Sequence, residues 1–155
     1  MAKAASREFE LYIELQSAPA AANQSLDMTD YVDIADNQAF EVHELDIVLD
    51  VDQAFPAGQV EGLFQLADSN ITTFVTHADR TSLYVARKTY DATQGSMYHQ
   101  ESFSSLTPLI VSKTLFMRNS STTALSYTLR MKGRIVTPSA KDYMALVLTQ
   151  TGNLA

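Results

Sequence analysis

The chain has no cysteine and no tryptophan, only five glycines and four prolines, and no long apolar run. The missing cysteines exclude disulfides, thiolate metal sites and cysteine nucleophiles together. No run approaches the roughly 18 apolar residues of a membrane helix, and MAKAASREFE at the start lacks the apolar core of a signal peptide. The expectation is a soluble protein, intracellular when made. Signatures of chemistry are missing too: HExxH, GxSxG, GxGxxG and GxxxxGK[ST] do not occur. His43, His77 and His99 are isolated from one another, and Ser102, Ser104 and Ser105 near His99 have only Glu101 as a neighbouring acid. Neither an enzyme nor a cofactor is expected. Asn23, Asn70 and Asn119 each open an N-glycosylation acceptor triplet, but without an export signal no modification is expected.

What is present points to one β-rich domain. A chain of 155 residues with 46% hydrophobic content is long enough and apolar enough to bury a single core, and we read 1–155 as one domain. The clearest pattern is Phe40–Asp52, FEVHELDIVLDVD. Strand side chains alternate between faces, so Leu45, Ile47, Leu49 and Val51 fall on one side. Glu44, Asp46, Asp50 and Asp52 fall on the other, with Val48 as the exception. Phe40 and Val42 occupy the opposite phase, so the alternation slips by one between Val42 and Leu45. A β-bulge near His43–Glu44 repairs the slip, as does a strand that starts only at Glu44; the good alternation on both flanks favours the bulge.

Further strands are expected at 8–15, 27–34, 59–66, 71–76, 82–90, 109–117 and 124–136, with Gly133 marking another bulge. Residues 1–7 read as a terminal arm, and 91–108, rich in Ser, Gln, Thr and Tyr, as a long exposed loop. Thr137 and Pro138 resemble an N-cap and first helical residue, which makes 139–149 a C-terminal helix, although a buried final strand fits almost as well. About eight strands at regular spacing without βαβ alternation predict an all-β antiparallel sandwich or jelly roll.

Charge is distributed unevenly. Residues 1–79 hold 15 acids and two bases, a net of −13; residues 80–155 hold three acids and nine bases, a net of +6, which together give −7. The row Glu44, Asp46, Asp50, Asp52 is a poor ion site, because same-face carboxylates on one strand stand roughly 7 Å apart. Its natural counterpart is Arg130, Lys132 and Arg134, which share one face of the 124–136 strand. The two rows are candidate subunit-contact residues, meeting either within one chain or between neighbours. Three bases are too few for direct nucleic-acid contact, and none is expected.

In size and strand rhythm, from Glu8 to Val136, the chain resembles the single jelly-roll capsid proteins of viruses. The resemblance implies a shell-forming subunit located in the virion, whose partners are other copies of itself and other structural proteins. It departs from capsid proteins with a basic N-terminal arm, since the first 35 residues offer only Lys3 and Arg7. A genome would then be screened by a membrane or by other proteins. A decoration, tail, fibre or filament subunit is an alternative. So is a carbohydrate-binding sandwich that uses Tyr84, Tyr90 and Tyr98 in place of the missing tryptophans.

Overall fold

The computed structural model describes residues 3–4, 6–17, 22–33, 36–49, 58–76, 79, 81–91, 93–103, 109–110 and 114–149. In chain order they form β1 (Lys3–Ala4), β2 (Phe9–Ser17), β3 (Ala22–Asp27), β4 (Ala39–Leu49), β5 (Gln59–Ala67), β6 (Ser82–Asp91), β7 (Ser96–Phe103), β8 (Leu109–Ile110), β9 (Thr114–Ser121), β10 (Leu125–Thr137) and α1 (Ala140–Thr149). The strands make two antiparallel sheets. In the first the order is β2–β10–β4–β8, with β1 continuing the β2 edge along the far end of β10; in the second it is β3–β9–β5–β6–β7.

The pairing has a simple rule. β2 pairs with β10, β3 with β9, β4 with β8 and β5 with β6, so early strands meet late ones as in a long hairpin. Rolling that hairpin up brings β10 against β4 and β9 against β5, which closes the two sheets. This is the jelly-roll winding of an antiparallel sandwich. The expected fold class is therefore what the structure has, with eight strands of six residues or more and two of only two.

The slip in β4 is a bulge. Lys132 on β10 opposes Glu44 while Gly133 opposes Val42, so His43 is the extra residue. One bulge thus serves both marks in the sequence, the phase slip and the glycine. The insertion lets Phe40 and Val42 point inward together with Leu45 and Ile47. It also draws the two backbones together at Gly133, where a Cβ would collide with the Glu41 carbonyl and lie 2.8 Å from the Phe40 ring. Only glycine fits there.

The inward faces build one core. Leu129 and Met131 of β10, Ile47 of β4, Leu115 of β9 and Tyr84 of β6 are all at most 2% exposed. Phe64 of the second sheet meets Tyr127 of the first edge-on at 4.5 Å, and Gly62 leaves the space that the Tyr127 hydroxyl occupies. Lys88 of β6 reaches across the sandwich and donates to the Ile47 carbonyl. Among the described residues β8 pairs with β4 at Phe40 and Glu41, and Lys88 supplies a donor further along β4.

Several segments differ from expectation. The 1–7 arm is docked: Lys3 and Ala4 pair with Thr137 and Val136, and Ser6 exchanges hydrogen bonds with Ile135. The anticipated loop at 91–108 contains β7, which pairs with β6 over eight residues around a turn with Gly95 at φ +65°. Its polar composition is that of an edge strand wetted on both faces, which composition alone cannot tell from a loop. The expected strand at 27–34 is instead a single 3-10 turn at Met28–Asp30, capped by the Asp27 carboxylate, and β3 lies before it. At 109–117 there are two strands in different sheets rather than one. The terminal segment is helical. Ser139, rather than Thr137, caps it, its hydroxyl accepting from the Asp142 N–H at 3.2 Å and donating to the Asp142 carboxylate at 2.7 Å. Tyr143, Leu146 and Val147 pack against Ala39 and Val136 in a small second core.

Candidate functional site

The outer face of the first sheet carries the charged rows. β10 lies between β4 and β2, so register sets Arg130 between Asp46 and Tyr12, and Lys132 between Glu44 and Glu10. Arg134 lies across from Glu41. Two pairs form diagonally, the Arg130 guanidinium meeting Glu44 at 2.8 Å and Lys132 meeting Glu8 at 3.2 Å, whereas Arg134 meets the directly opposed Glu41 at 2.6 Å. His43, pushed outward by the bulge, stands with one ring nitrogen 3.1 Å from Glu41 and the other 3.5 Å from Glu8. Tyr12 donates its hydroxyl to Glu10 beside this network.

Five of the seven candidate residues, Glu44, Asp46, Arg130, Lys132 and Arg134, are thus on one surface of one chain. Asp50 and Asp52 lie outside the described residues. The sequence reading missed Glu8, Glu41 and His43. A signal for Glu41 existed: once a bulge is admitted at His43, residue 41 falls on the same face as 44 and 46.

Electrostatics follow the contacts. A hydrogen bond from Lys132, aided by His43, holds the Glu8 carboxyl below the usual range, and Glu8 in turn holds the Lys132 ammonium above its ordinary value. Arg134, then His43, lower Glu41 in the same way. The Glu10 carboxylate raises the Tyr12 phenol. These are surface pairs at the rim of water, where solvent screens them and leaves little net stabilisation. Among the described residues no three acidic or imidazole groups converge as a metal would need. The face is an intramolecular charge lattice, and its ion pairing needs no neighbouring subunit.

The other sheet is covered differently. The segment 68–76 folds back over its outer face. The Gln65 side-chain amide donates to the Val75 carbonyl and accepts from the Val75 N–H, both at 2.9 Å, and also donates to the Ser82 hydroxyl. Ile71 within the segment is buried, and the Arg118 guanidinium sits 5.3 Å from the centre of the Phe74 ring. Residues 71–76 were expected to be a strand; Val75 finds its backbone partner in a side chain instead of a ladder.

Tyr84 is 1% exposed and belongs to the core, so it offers no sugar platform together with Tyr98, which is 56% exposed. Of the three glycosylation triplets, Asn119 is buried within β9 and Asn23 within β3 accepts a hydrogen bond from Arg118 at 2.7 Å. Large apolar side chains stand exposed in several places: Tyr12 and Val48 on the outer face of the first sheet, Tyr31 and Phe74 in connecting segments, Met97 and Tyr98 on β7, and Met144 and Leu148 on α1. Among the described residues no helix is long and apolar enough to cross a membrane. No family model matches the chain, and neither does any curated protein.

Proposed function

We propose that the chain is a structural, self-assembling subunit of the viral shell type, found in the virion. The observation that carries this reading is the winding, β2 with β10, β3 with β9, β4 with β8 and β5 with β6. Capsid subunits use this architecture, and it also serves lectins and cupins. What separates these uses is the surface. A shell subunit needs several contact regions facing different ways. Here exposed apolar side chains occur on β7 of the second sheet, on α1, and at Tyr12 and Val48 on the outer face of the first sheet. A sugar-binding module needs one aromatic platform, and the burial of Tyr84 takes away a member of the candidate set.

The test is the mass and shape of the purified protein, by size exclusion with light scattering and by negative-stain microscopy. The reading expects symmetric particles of many copies that form as concentration rises. A monomer at every accessible concentration overturns it.

A further inference from the structure

β7 ends the second sheet among the described residues, and an edge strand turns a row of N–H and C=O groups outward. Proteins blunt such edges by keeping them short, charged, bulged or proline-containing. β8 and the β2 edge show these devices, and the other margin of the second sheet, β3, is shorter at six residues and ends in Asp27. β8 is two residues long, and the β2 edge carries Glu8, Glu10 and Glu14 and is interrupted between β1 and β2. β7 shows none of them. It runs eight residues, Ser96–Phe103, pairs with β6 without a register shift, contains no proline or lysine, and has Glu101 as its one carboxylate. Met97 and Tyr98 are exposed, Met97 by 68%.

We propose that β7 is the docking edge for a second copy of this chain, which adds its own β7 antiparallel so that two second sheets become one continuous sheet. The inference rests on the self-assembly reading above and names the surface through which it begins. The strand is complementary to itself. In an antiparallel pair about a two-fold axis normal to the sheet, opposed residues share a face and the axial residue opposes itself. With Gln100 on the axis, His99 stands across from Glu101, Met97 from Phe103 and Tyr98 from Ser102, each pair occurring twice. With His99 on the axis, imidazole would face imidazole and Met97 would face Glu101. The first register sets apolar against apolar and acid against imidazole, and it is the one assigned.

Two readouts test this. Hydrogen exchange on the full chain, followed as concentration rises, should show added protection at 96–103. In light scattering, His99→Glu should weaken association about tenfold by setting like charges opposite twice, and the double variant His99→Glu/Glu101→Lys should restore it. Circular dichroism checks that each variant is folded. Gln100→Lys, which sets two ammonium groups at the axis, replaces His99→Glu should the latter not fold. Assembly without added protection at 96–103, or without response to these variants, overturns the β7 edge and leaves the shell reading standing. A dimer protected at 96–103 that never grows further supports the edge and overturns the shell. A monomer throughout overturns both.

Discussion

The two outer faces of this sandwich are finished in opposite ways. The first sheet is left bare to water, and its charges are answered by other charges: Arg130 by Glu44, Lys132 by Glu8, Arg134 by Glu41. The second sheet is roofed by its own chain over 68–76, where Ile71 is buried and Val75 is held by Gln65. The first solution is electrostatic and soft; the second depends on burial and backbone satisfaction, and is stiff. The difference separates surface features that look similar in sequence. Charged rows that draw the eye are neutralised in place, whereas the modest polar strand β7 is the longer and less protected margin of the second sheet. On this account association belongs to edges and helix, not to faces.

The comparison is broken most severely at the joint beneath the charged face. Gly133→Ala drives a Cβ into the Glu41 carbonyl and the Phe40 ring, and the bulge cannot relax without moving β4 from β10. We expect a loss of about 3 kcal/mol or more, read as a lower urea midpoint. Next is the roof. Gln65→Leu keeps the volume but leaves the Val75 N–H and carbonyl without their partner, so it should cost about 2 kcal/mol. It should also open the 68–76 segment to limited proteolysis before the rest of the fold unravels. Replacing Arg134 with Ala on the charged face should cost under about 1 kcal/mol, and high salt should narrow the gap to wild type. If Arg134→Ala costs more than Gln65→Leu, the ranking of the two faces is wrong.

The smallest effect is a pH dependence confined to the charged face. Glu8 and Glu41 are held lower in the folded chain than in the unfolded one. Their contribution is therefore full above the unfolded carboxyl value of about 4.3 and is lost as pH falls through the folded values. Melting temperatures of wild type and Glu41→Gln should differ slightly at neutral pH and converge in acid. A gap that widens in acid would contradict the assignment. Lys132, raised by Glu8, acts at the other end, its contribution draining away as pH climbs through its folded value.

Much of the fold was legible, for reasons that particular residues make plain. Alternation over Phe9–Ile13, Leu45–Ile47 and Tyr127–Met131 survives because these strands have one dry face, and one dry face is what period-two patterning records. The bulge was readable because both flanks of His43 alternate. β7 was not legible, since both of its sides are wet along Thr93–His99 and polar composition then reads as loop. Residues 71–76 misled in the reverse sense: β-branched and aromatic residues were there to cover a sheet, not to join one. At the charged face, the pairing of the basic row with Glu44 followed from pattern, whereas Glu8 did not. It comes from outside any strand and reaches Lys132 only because the β1–β2 break brings it there.

The central claim is association through the margin of the second sheet rather than through the charged face. Hydrogen exchange at low and high protein concentration tests it most directly. The account predicts that protection rises at 96–103 and stays constant at 44–46 and 130–134. Protection that rises over 44–46 and 130–134 while 96–103 stays unchanged would contradict it.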